Sequence, residues 1–210
     1  MKRIKERLEL SVDGAELGGW DWNLVNDKVS FDYNWKSMLG YDEKVGGSLD
    51  TWENLIHKDD KDKVDRILNE HLKGKSDIYE VEHRLKTKDG DYKWIKDIGK
   101  VVKRDANNNP LRAVGIHQDI DQRKRTEREL NEQNAYFEQL FEASTEAIVL
   151  LNNNGKVMRV NERFEKLFDY KEEKIVNKNI DELITPLEKI IEGNDLTQKV
   201  TKGEDIKIES

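Results

Sequence analysis

The residues of this chain whose types could do chemistry are four histidines, a short run of aspartates and two glycine pairs. His57, His71, His83 and His117 could ligate a metal or move protons. They are scattered, with no His-x-x-x-His spacing, and the chain has no Cys, so a zinc site finds little support. The lack of Cys also removes disulfides, cysteine nucleophiles and flavin–cysteinyl photochemistry. Asp59, Asp60 and Asp62 could suggest a cation site, yet adjacent helix positions point apart, so a solvated face is expected. Gly18-Gly19 and Gly46-Gly47 are isolated pairs, not a phosphate-cradling loop. No catalytic constellation is assembled in the sequence.

The elements that must position these residues follow from periodicity. Residues 1–17 read as a charged lead-in helix carrying Ile4, Leu8, Leu10 and Leu17, stopped by Gly18-Gly19. Trp20, Trp22 and Leu24 alternate with polar residues, and Val29 to Phe31 follows a turn at Asn26-Asp27, which predicts a hairpin. Short helical pieces cover 34–55. A clearer helix opens at His57-Lys-Asp-Asp, with Asp59 or Asp60 as its cap, and gathers Val64, Ile67, Leu68, His71 and Leu72 on one face. Tyr79, Val81, His83 and Leu85 alternate with charged residues, and Asp89-Gly90 predicts a tight turn. The next strand carries Tyr92, Trp94, Ile98 and Val102, and the last runs from Leu111 to Gln118. Short links of this kind imply an antiparallel sheet with helices over one face, an α+β unit.

From Ile120 to residue 143 the pattern is helical. Asp119 is its expected N-cap and Arg123 the partner of that cap one turn on. The seam Arg123, Thr126, Leu130, Gln133, Phe137, Leu140 is half apolar, which suits marginal dimerisation or a shift of register.

The net charge of −7 lies wholly in residues 126–210, while all Trp and His precede residue 118. Nucleic acid is therefore not an expected partner, and Arg123-Lys124-Arg125 reads as a solvated helix face. No apolar run approaches the ~18 residues of a membrane span, and the start MKRIKERLEL lacks an apolar stretch, so a reducing cytoplasm is the expected location.

The chain also echoes itself. Trp35-Lys-Ser-Met-Leu-Gly-Tyr41 returns 129 residues later as Phe164-Glu-Lys-Leu-Phe-Asp-Tyr170. At this offset the second copy lacks the counterpart of the first copy's last strands. Residues 144–210 are then expected to be marginal alone or to complete a sheet with another chain.

The pieces GGWDW at 18–22, WKSMLGYDEK at 35–44, HKDD at 57–60, DGDYKW at 89–94 and VGIHQDIDQRK at 114–124 resemble a PAS domain with its trailing PAC motif. Such units occur in bacterial and archaeal sensor proteins. HKDD departs from the family's HPDD at Lys58. Residues 137–170 resemble the start of another PAS domain, with Asn161 on the family's usual Asn, and with Asp169 and Asn177 where Gly is commoner. The resemblance implies a five-stranded antiparallel sheet in order 2-1-5-4-3 with helices on one face. It implies a first domain at 18–119, a signalling linker helix at 120–143 and an incomplete second domain at 144–210.

It further implies a sensory and dimerisation module. A homodimer through the helices, a small-molecule ligand and a downstream output domain are its expected partners. The output would be of histidine kinase or diguanylate cyclase type, although the chain holds no phospho-acceptor setting and no GGDEF-like segment of its own. The candidate ligand-binding residues are Trp52, Ile67, His71, Tyr79, His83 and Trp94, and the candidate relay is His117, Asp119 and Arg123. Haem through His71 and non-covalent flavin are the cofactors the resemblance raises, with none the expected state. A ligand-free interaction module is the alternative reading.

Overall fold

The computed structural model describes residues 16–42 and 46–184. The chain divides into two compact units, Met1–Arg128 and Glu129–Ser210. Most of the expected lead-in helix, residues 43–45, and the end of the second copy lie outside the described residues.

In the first unit β1 (Gly18–Asn23) and β2 (Lys28–Phe31) form the expected hairpin. Gly18 and Gly19 belong to β1 rather than ending a helix. Asp32 then caps α1 (Tyr33–Met38), its carboxylate accepting the Trp35 N–H at 2.8 Å. Helices α2 (Leu49–Glu53) and α3 (Lys61–Leu72) follow. Asp60 stands at the N-cap of α3, but its carboxylate is turned to Arg84. It accepts that residue's backbone N–H and two guanidinium N–H groups, each at 2.9 Å. The helix start is thereby tied to the sheet.

Strands β3 (Tyr79–Lys86), β4 (Tyr92–Arg104) and β5 (Pro110–Asp119) complete a five-stranded sheet in order β2-β1-β5-β4-β3, every pairing antiparallel. Tyr79, Val81, His83 and Leu85 all point inward, as their alternation requires. In β4 the inward set is Ile95, Asp97 and Gly99, so Trp94 faces the other way.

One row across the sheet explains two glycines. Trp20 pairs with Gly115, and Gly115 pairs with Gly99. The Trp20 indole lies flat over both, and a Cβ on either would overlap its ring.

Helix α4 (Asp121–Ala143) follows β5 and ends in the second unit. That unit then folds β6 (Val149–Leu151), β7 (Val157–Val160), α5 (Glu162–Phe168), α6 (Glu172–Ile175) and α7 (Ile180–Ile184). The 129-residue echo is kept in three dimensions. The cap bond from Trp35 to Asp32 returns as a bond from the Phe164 N–H to Asn161 Oδ1 at 2.9 Å. Gly40, at φ 74, returns as Asp169 at φ 56. Asn177, at φ 68, is the other position where Gly is commoner, and Asn and Asp tolerate this region best after Gly.

Asn161 is fully buried and all its polar atoms are used. Its amide donates to the Phe141 and Glu146 carbonyls, and its oxygen accepts from the Ile148 and Phe164 N–H groups. The end of α4 is thus fixed to the second unit's first hairpin.

Two outcomes follow from this packing. Gly115→Ala destabilises the first unit by about 1–3 kcal/mol in urea unfolding, because neither the Ile98 carbonyl nor the Trp20 ring can yield freely. Asn161→Ala strands four backbone groups, two of them in buried bonds, and costs the second unit at least about 2 kcal/mol, read as an earlier unfolding transition of that unit.

Candidate functional site

The inner face of the first unit carries a chain of buried polar groups. Trp20 Nε1–H donates to Asp97 Oδ1 at 2.8 Å. His117 Nε2 lies 3.0 Å from Asp97 Oδ2. Trp35 Nε1–H donates to His117 Nδ1 at 2.8 Å. Register places these groups together, since Asp97 and His117 are direct partners across β4 and β5. Asp97, His117 and Trp35 are each no more than 2% exposed.

The donors settle the tautomer. An indole N–H is only a donor, so His117 Nδ1 must be bare and its proton sits on Nε2, directed at Asp97. The imidazole is therefore neutral. The two N–H groups held by the Asp97 carboxylate both come from uncharged rings.

Beside this chain is a cavity of about 30 Å³ lined by Trp20, Trp22, Val29, Phe31, Leu49, Trp52, Leu68, Tyr79, Asp97 and His117. Two polar groups of its lining are buried without hydrogen-bond partners, Trp52 Nε1 and the Tyr79 hydroxyl. Burial, and then the neighbouring Asp97 carboxylate, pushes the Tyr79 hydroxyl well above its ordinary pKa. His83 stands behind the lining. Its ring meets Trp52 edge-on at 5.8 Å and His117 at 6.0 Å, and both its nitrogens are unpartnered. Burial lowers its pKa to about 4.

The structure thus separates the six ligand-binding candidates. Trp52 and Tyr79 line the cavity, and His83 touches it through Trp52 and His117. Ile67 packs on the core outside the lining, where Leu68 stands instead. Trp94 lies on the opposite face of the sheet, with the Arg84 guanidinium and the Lys124 ammonium each 5.2 Å from its ring. His71 is occupied at both nitrogens, Nδ1 with the Ser76 carbonyl at 2.9 Å and Nε2 accepting the Val101 N–H at 3.1 Å.

This arrangement does not fit haem or flavin. His71 has no nitrogen left for iron, and the cavity is a small fraction of the ~300 Å³ of an ordinary cofactor pocket.

The residues missed in the sequence are Trp20, Trp22, Phe31, Trp35 and Asp97. An acid at an inward position between Ile95 and Gly99 was the available signal for Asp97. It was hidden because β4 carries apolar residues on both faces.

Two of the three candidate relay residues, His117 and Asp119, lie two apart on β5. His117 faces the cavity, while Asp119 holds the start of α4. Its Oδ1 accepts the Asp121 N–H at 2.9 Å, and its Oδ2 pairs with Lys93 at 2.8 Å. The expected Asp119–Arg123 pair is replaced. Arg123 reaches Glu82 at 2.5 Å, and Lys124 reaches the same carboxylate at 2.8 Å. Lys124 foremost, with Arg123, holds the Glu82 carboxyl below its usual range. Glu82 and Arg84, on the outer face of β3, flank the inward His83. The first turn of α4 is therefore fastened to both β3 and β5.

A family described as "PAS fold" matches residues 28–117, and one described as "PAS domain" matches residues 135–201. A blue-light-activated histidine kinase of Brucella ovis is 26% identical over 125 residues, 60% of this chain and 24% of that protein. A probable diguanylate cyclase of Escherichia coli, DgcE, is 21% identical over 174 residues, 82% of this chain and 15% of that protein. The chain thus spans a quarter or less of the length of these curated relatives. A solved structure of a sensory box histidine kinase/response regulator from Burkholderia thailandensis is 31% identical, with a TM-score of 0.57, covering 64% of this chain and 99% of that one. No helix among the described residues is long and apolar enough to cross a membrane.

The buried His83 makes stability depend on pH. Its folded pKa of about 4 lies below the unfolded value of 6.5, so on acidification the unfolded chain takes the proton first. Stability is level above pH 6.5 and falls between 6.5 and 4, by about 3 kcal/mol for this group. His71, also lowered by burial, adds to the loss in the same direction. Urea midpoints measured across this window show the fall, and His83→Leu makes it shallower.

Proposed function

This chain belongs to the PAS family, and from that premise we propose that it is the sensory input region of a signal-transduction protein. Its first unit takes up a signal in the cavity beside Asp97 and His117. Its long helix carries the signal onward. The observation that supports this most directly is the position of His117, in the cavity wall and two residues from the carboxylate that holds the start of α4.

The steps follow from the bonds present. A change at Asp97 or His117 moves β5 relative to β4, because the two residues are cross-strand partners. Asp119 and the Ile120 N–H, which donates to the Trp94 carbonyl at 2.9 Å, join that strand pair to α4. A change at His83 moves β3, where Glu82 holds Arg123 and Lys124. Both routes end in the first turn of α4. Farther along, Leu130, Phe137 and Leu140 are exposed on the half-apolar seam. A seam of this kind supports a homodimer with two packings of similar energy, which a switch requires. The resulting output is of histidine kinase or diguanylate cyclase type, the kinds of protein to which the chain is similar. Residues 18–119, 120–143 and 144–210 serve as sensor, linker and second sensor-type unit in this reading.

The small cavity favours a second reading, a ligand-free interaction module whose aromatic residues only fill the core. The two are separated by native mass spectrometry for a co-purifying small molecule and by absorbance above 350 nm.

Asp119→Ala removes the bond to the Asp121 N–H and the pair with Lys93. The loss of a cap is worth about 1 kcal/mol, so amide exchange over residues 121–125 rises about fivefold while β3 and β4 stay protected. Unchanged exchange in that turn would refute the relay.

A further inference from the structure

We propose that the cavity of the first unit is a binding site for a small ammonium cation, of the size of methylammonium. This rests on the reading of the first unit as the sensing unit, and names the class of molecule it senses.

The argument begins with charge. Asp97 is 2% exposed, and the N–H groups that hold its two oxygens come from Trp20 and His117. Neither donor brings a positive charge. His117 cannot take a second proton while Trp35 Nε1–H occupies Nδ1 at 2.8 Å. Among the described residues no Lys or Arg pairs with Asp97. A buried carboxylate in this state is normally matched by a cation. A carboxylate has about four lone-pair positions, and two are taken here, so Asp97 can accept further N–H donors on the cavity side.

The walls supply the second half of the match. Trp20, Trp22, Phe31, Trp52 and Tyr79 line the cavity with Asp97. Aromatic rings around an ammonium group offer their negative faces, and the attraction grows as water is excluded. The Tyr79 hydroxyl, 2% exposed and beside Asp97, can turn its own proton to that carboxylate and keep its lone pairs for an ammonium N–H.

An anion would meet the Asp97 carboxylate; the buried, unpartnered Trp52 Nε1–H of the lining is the donor it could reach, so formate is titrated beside methylammonium. Size sets the last limit. About 30 Å³ admits two heavy atoms and not the benzene-sized guests that need ~150 Å³.

The test uses the full chain labelled with ¹⁵N and follows the indole N–H resonances in water. Methylammonium chloride is titrated to 100 mM against sodium chloride at equal ionic strength, and sodium formate is titrated as the anionic counterpart. The Trp20 and Trp52 resonances shift saturably with methylammonium and not with formate. Asp97→Asn, which keeps the side chain's shape and removes its charge, weakens the response at least tenfold. A shift with formate equal to that with methylammonium, or no saturable shift with methylammonium, overturns the proposal without recourse to any variant. A saturable shift that leaves amide exchange in the first turn of α4 unchanged upholds the site and refutes the relay instead.

Discussion

The first unit is organised around one buried carboxylate held by uncharged donors. To reach Asp97, the Trp20 indole must cross the sheet over Gly115 and Gly99, where no side chain intervenes. To orient His117 toward the same carboxylate, Trp35 must stand where its N–H meets Nδ1. Trp35 in turn is set by the Asp32 cap of α1 and by stacking on Phe31 at 3.9 Å. The hairpin, the first helix and the two central strands are all held to the geometry of that carboxylate. Burying a charge in this way is costly unless its hydrogen bonds are made. In the proposed reading, occupancy of this site changes the fold's preferred arrangement.

The same strands carry the consequence outward. In the proposed relay, inward residues on β3 and β5 meet the interior, and residues beside them on the same strands meet the start of α4. His83 sits between Glu82 and Arg84, and His117 is two residues from Asp119. The period of two in a strand sets His83 on one face and Glu82 and Arg84 on the other, a link through the sheet, while Asp119 lies on the same side of β5 as His117, one step nearer the helix. Helix α4 is not held by a single capping bond but by carboxylates from two strands, with Lys124 lying against Trp94.

Local signals in the sequence were sufficient for the elements. Alternation located β3, the Asp89-Gly90 turn located the hairpin after it, and the resemblance supplied the strand order. The repeat was legible because identical local chemistry recurs, a polar cap ahead of an aromatic residue at Asp32 and Trp35 and again at Asn161 and Phe164. The site was harder to see, for reasons of distance. Trp20 and Asp97 are 77 residues apart, and Trp35 and His117 are 82 apart. Trp94 looked like a cavity residue because β4 has apolar side chains on both faces, and its phase is decided only by pairing with β5. The Asp119–Arg123 pair satisfied helical spacing, yet Glu82 on β3 presents a carboxylate already shared with Lys124, and Arg123 joins it.

All of this depends on His117 being neutral with its proton on Nε2. Long-range proton–nitrogen correlation of the His117 ring at pH 7 measures that directly. The account predicts a bare, acceptor-type Nδ1 and a protonated Nε2. A proton on Nδ1, alone or with one on Nε2, would contradict it, because Trp35 could not then donate there; with both protons present Asp97 would also face a cation already in place.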